Sequence, residues 1–133
     1  MAVQLSVAVR NARLDAIETT VGTSAVLKLR TGSAPATCAT ADSGTVVATL
    51  ALPADWFNAA GSGAITLKGT WEDASADTTN TPAHFRIYAS DGTTCHLQGT
   101  VGQGSGDLSL DDSSVEAGQT VTVTLFTLTD GNA

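Results

Sequence analysis

Apolar and polar residues alternate most regularly between His84 and Val101 and again between Thr120 and Thr129, and both stretches read as β-structure. In HFRIYASDGTTCHLQGTV, Phe85, Ile87 and Ala89 alternate with Arg86, Tyr88 and Ser90. Asp91-Gly92-Thr93 interrupts, and Cys95, Leu97 and Gly99 then alternate with His96, Gln98 and Thr100. This is the pattern of a β-hairpin, because the tight reversal needs a positive φ that glycine adopts without a Cβ penalty. The strand-like runs ending at Trp71 and beginning at Gln119 are expected to pair with its two edges. In TVTVTLFTLT (120–129), Val121, Val123 and Leu125 share one parity and Phe126 and Leu128 the other. That switch predicts a β-bulge, or a strand that passes from one core face to a second contact.

Further strands are expected over AVLKLRT (25–31), TVVATLAL (45–52, ended by Pro53), the alternating run from Ile65 to Trp71, and DLSL (107–110). Between them lie a long small-residue loop carrying Cys38, a polar Thr-rich loop over 72–83 and the flexible turn GQGSGD (102–107). A single turn after Pro53 would drop Trp56 and Phe57 onto the sheet, in one core with Phe85, Ile87 and Leu97. About seven strands, with turn signals about every 10 residues, give a mainly β fold: a β-sandwich or jelly-roll-like barrel.

Residues 5–21 lack Gly and Pro, and Leu14, Ile17 and Val21 recur at helical spacing with Arg13, Asp15 and Glu18 between them. The helix is expected to start at Ser6 as N-cap and to stop at Gly22. Val3, Leu5, Val7 and Val9 also alternate like a strand, so an extended arm leading into a helix from about Val9 is the other reading. The chain divides into an N-terminal arm and helix (1–22) and one β-sandwich domain (23–133).

At 133 residues, 42% hydrophobic and only 14% charged, the chain is one domain with a low-charge surface rich in Thr, Ser, Ala and Gly, suited to contact. Six Lys and Arg against thirteen Asp and Glu give a net charge of −7, which repels phosphate backbones and anionic membranes. Neither nucleic acid nor a membrane is expected as partner. The first residues lack a basic n-region and a cleavage site, and no run approaches the ~20 apolar residues of a membrane span, so a soluble protein made in the cytosol is expected. Cys38 and Cys95 permit one disulfide at most, and cytosolic synthesis favours free thiols.

Chemistry is sparse. His84 and His96 lie on the two arms of the hairpin, where they read as surface or cross-strand histidines, because no third ligand completes a metal set. Cys95 and His96 are adjacent and point to opposite faces of a strand, which excludes a catalytic pair. Glu72, Asp73 and Asp77 in one loop and Asp107, Asp111, Asp112 and Glu116 in another read as solvated carboxylates rather than an acid/base pair across a cleft. GQGSG lacks the ending and the following helix of a phosphate loop. No nucleophile elbow, zinc spacing or dinucleotide fingerprint occurs. No enzyme, no cofactor and no metal are therefore expected.

Four stretches, VAVRNARLDAIET (7–19), LKLRTGSAPATCATADSGTVVATLALPADW (27–56), AHFRIYASDGTTCHLQGTVG (83–102) and VEAGQTVTVTLFTLTDGNA (115–133), resemble a group of small tailed-bacteriophage virion proteins. The resemblance implies a β-sandwich or jelly-roll-like structural protein of the virion, made in the host cytoplasm. Its implied role is that of a head decoration (cement) protein on the major capsid protein lattice, or else a neck- or tail-associated protein. A receptor- or carbohydrate-binding module and a small hydrolase are the readings from other classes. The expected partner is the major capsid protein or another virion protein, with the chain as a homo-oligomer. Val7, Val9, Arg10, Arg13, Leu14 and Ile17 are the expected contacts, an apolar series flanked by two of only six cations.

Overall fold

The computed structural model describes residues 3–130, so the first two residues of the expected arm and the last three of the expected domain lie outside the described residues. The fold is mainly β with one N-terminal helix: α1 (Val7–Val21) precedes β1 (Val26–Arg30), β2 (Val46–Ala51), β3 (Ala64–Thr66), β4 (Glu72–Asp73), β5 (His84–Tyr88), β6 (Cys95–Gly102), β7 (Leu108–Leu110) and β8 (Val121–Thr129). The strands form one sheet in the order β2-β1-β5-β6-β7-β8-β3, with β4 also on β8. The sheet curls into a half-barrel whose two ends approach each other. Thr49 of β2 donates its N–H to Asp73 of β4 at 2.9 Å, and Val47 accepts from the N–H of Asp77 at 2.8 Å.

The hairpin forms as its alternation demands. Ile87 pairs with Leu97 and Phe85 with Gly99, and Gly92 takes φ 69° in the reversal. Its neighbours differ from expectation: β5 lies against β1 and β6 against β7, while Gln119 only leads into β8 and Trp71 lies outside any strand. The run toward Trp71 stays a strand for three residues only, and the polar loop expected over 72–83 begins with β4. The β6–β7 pairing is parallel across Val101↔Leu108 and Gly102↔Ser109, although parallel neighbours ordinarily need a long crossover. The glycines of GQGSG permit this curl: a Cβ on Gly102 would sit 2.3 Å from Ser105 Oγ.

The parity switch in β8 is a bulge. Leu110 pairs with Val123 but Ser109 with Leu125, which leaves Thr124 as an extra residue. Val121 and Val123 before it and Phe126 after it all point inward, and Leu125 is left exposed. Inside the half-barrel, Trp56, Phe57, Trp71, Phe85 and Phe126 form one aromatic cluster, with neighbouring ring centroids 4.4–5.9 Å apart. Ile87 is buried with them and Leu97 packs at the margin.

Candidate functional site

Helix α1 begins and ends as its caps dictate. Ser6 Oγ accepts from the Val9 N–H at 3.2 Å, and Gly22 at φ 102° returns its N–H to the Glu18 carbonyl. Its docking is largely polar. Asn11, Asp15 and Glu18 lie on one face at i, i+4 and i+7, and each accepts from backbone of the 56–63 segment: Asn11 from Gly63 (2.9 Å), Asp15 from Ala60 (2.8 Å), Glu18 from both Trp56 and Phe57 (2.6 Å each). Asp15 and Glu18, which lie between the apolar positions in sequence, thus serve as acceptors for the 56–63 segment. An unpaired backbone N–H beside a buried ring is costly, and the helix supplies its acceptors.

The expected contact set divides. Val7 and Val9 are exposed at 46% and 45%. Leu14 leaves the set, because it is buried in the core with Val21. Arg10 donates to the Asp130 carbonyl at 3.2 Å and Arg13 pairs with the Asp130 carboxylate at 3.1 Å, so both cations hold the end of β8 to the helix. Ile17 is half-buried and lines a shallow groove of about 370 Å³ between α1 and β6, together with Arg13, Ala16, Val21, His96 and Leu97.

A second constellation lies on the outer face of β1, β5 and β6. All five residues of β5 are buried, because the 31–45 loop folds as a flap over His84, Arg86 and Tyr88. Asp42 is its anchor. The carboxylate receives Arg86 at 2.7 Å, the Tyr88 hydroxyl at 2.7 Å and Arg30 at 3.0 Å. Arg86 also donates to the Thr37 carbonyl (2.8 Å) and Gln98 to the Pro35 carbonyl (2.7 Å). Burial works to raise the Asp42 carboxyl, but the Tyr88 hydroxyl and the two guanidinium groups outweigh it and hold it below the usual carboxylate range. Burial, reinforced by Asp42, pushes the Tyr88 hydroxyl up to about 12.

His84 is buried beneath this flap rather than at the surface, with Nδ1–H donating to the Gly32 carbonyl at 2.7 Å. The two histidines do not face each other: His84 pairs with Thr100, and His96 falls at the irregularity beside Tyr88. Several loop carboxylates cap backbone instead of merely solvating. Asp107 accepts from Thr100 N–H, Asp111 from Thr122 N–H and Asp112 from Ser114 N–H. Among the described residues no three His, Cys, Asp or Glu side chains converge as metal ligands, and no helix is long and apolar enough to cross a membrane. No protein-family model, curated protein or solved structure matches the chain.

Proposed function

We propose that the protein is a non-enzymatic structural component of a tailed-phage virion, a decoration protein that seats on the major capsid protein lattice in many copies. The observation that carries this reading is the distribution of exposed apolar side chains. Of the four large hydrophobic residues exposed among the described residues, Val3, Val7 and Val9 lie within seven residues at the N-terminus, Val3 before α1 and Val7 and Val9 in its first turn. Val7 and Val9 point to different sides of that turn, so the exposed apolar surface wraps the start of the helix and supports a contact there. Behind them the helix is tied to the half-barrel by Asn11, Asp15, Glu18, Arg10 and Arg13, which lowers the ordering cost of a contact made through Val7 and Val9.

The sugar-binding reading requires an aromatic platform, and all six aromatic side chains of the chain are buried. Mass spectrometry of purified virions tests the proposal: the chain is expected at many copies per particle, and its confinement to infected-cell lysate would overturn it. Val7→Asp with Val9→Asp is expected to keep the melting transition and to abolish particle binding.

A further inference from the structure

No residue of the 31–45 flap over β1, β5 and β6 is fully buried, and hydrogen bonds from Arg30, Arg86, Tyr88 and Gln98 hold it to the sheet. Its midpoint is pinned where Arg86 grips the Thr37 carbonyl, and Cys38 is the next residue. Below it, Cys95 opens β6 directly opposite Tyr88, whose hydroxyl reaches Asp42 on the same flap. Flap and strand thus bring the two half-buried thiols into side-chain contact. The Cys95 thiol also donates to the Leu97 carbonyl at 3.3 Å.

We propose that Cys38 and Cys95 form an intramolecular disulfide clasp that locks the 31–45 flap onto the sheet when the chain meets a small-molecule disulfide. The Cys38 thiolate attacks one sulfur of oxidised glutathione, forming a mixed disulfide and releasing one glutathione. The Cys95 thiolate then attacks Cys38 Sγ and releases the second. The two protons lost by the protein thiols pass to the two departing glutathione thiolates, which carry the two electrons. Burial and the neighbouring Cys38 push the Cys95 thiol up to about 12, so Cys38 is the entry nucleophile and Cys95 the resolving thiol. The bridge closes a loop of about 57 residues containing β2, β3, β4 and β5, and removes the corresponding freedom from the unfolded chain.

The full-length chain is incubated with oxidised or reduced glutathione, quenched with N-ethylmaleimide, and followed by intact mass, peptide mapping and thermal melting. Oxidised glutathione is expected to give a species lighter by two hydrogens and free of maleimide, a peptide linking Cys38 to Cys95, and a Tm higher by roughly 10 °C that dithiothreitol reverses. Cys38→Ser, and independently Cys95→Ala, should each keep the reduced Tm in both media. Two stable glutathione adducts, an interchain dimer, persistently free thiols, or an internal bridge with an unchanged or lower Tm would each overturn the clasp.

Discussion

The Glu18 carboxylate accepts the backbone N–H of Trp56 and that of Phe57 through the same oxygen, at 2.6 Å each. One side chain of the helix thereby fixes two consecutive rings of the core. Hydrogen bonds to a charged acceptor contribute about 1.5–3 kcal/mol each, and removing the acceptor leaves both donors unsatisfied. Glu18→Ala is expected to cost about 3 kcal/mol in a reversible urea melt, and Glu18→Gln, which keeps a carbonyl oxygen, less than half of that. A loss below about 0.5 kcal/mol for Glu18→Ala would show that water replaces the carboxylate.

Phe85 occupies the space that a side chain at Gly99 would need. A Cβ there would lie 2.8 Å from Phe85 Cε1 and 2.8 Å from Asp107 Oδ2. Gly99→Ala is expected to destabilise by about 1–3 kcal/mol through overpacking, and Phe85→Ala by about 3–5 kcal/mol through the cavity it leaves. The two effects should be strongly non-additive in a double-mutant cycle; simple additivity would place the ring and the glycine in separate environments.

Asp42 neutralises two guanidinium groups whose side chains are only 8% (Arg30) and 2% (Arg86) exposed. Its own carboxylate remains partly in water, which discounts its share. Asp42→Ala is expected to cost about 2 kcal/mol, and adding Arg86→Met should recover part of it by removing a buried charge left without its partner. Further destabilisation on that second substitution would mean that the Arg86 bonds to Thr37 and Gln98 dominate.

The alkaline limb of stability carries a sign that can be checked. Tyr88 is pushed up to about 12 from an ordinary value of 10, so between those values the unfolded chain binds fewer protons than the folded one. The Tyr88 contribution is therefore fully present below pH 10 and is lost as pH rises toward about 12. Cys95 acts in the same direction from its ordinary value of 9. On the acid side Asp42 is lowered, so its contribution is present above pH 3.8 and fades as the carboxyl is protonated below that. Urea midpoints that stay flat from about pH 10 to 12 would contradict the burial of the Tyr88 hydroxyl.

What the chain reveals before folding is whatever short-range pattern controls. Ser6 and Gly22 bracket the helix because capping is local, and Asp91-Gly92 turns the hairpin for the same reason. The switch from Val123 to Phe126 announces a bulge because side-chain parity is rigid along a strand. The flap stays hidden, since Asp42 meets Arg86 and Tyr88 across more than forty residues of sequence with no periodicity to mark it. Glu18 and Asp15 mislead for a different reason. A carboxylate on a helix ordinarily signals water, and only the stranded N–H groups of 56–60 turn it inward. At two residues, β4 is too short to carry any alternation of its own.

The extra residue in β8 makes that strand an inverter. Were the strand regular with the same residues, Leu125 would share the inward parity of Val121 and Val123 and Phe126 would turn out into water, away from Phe57, Trp71 and Phe85; deleting Thr124 removes only the surplus, because Leu125 then follows Val123 directly and stays outside while Phe126 stays inside. The loss of one codon at Thr124 therefore leaves inside and outside where they are, while the loss of one at Thr122, within the regular part, sets Val121 and Val123 on opposite faces.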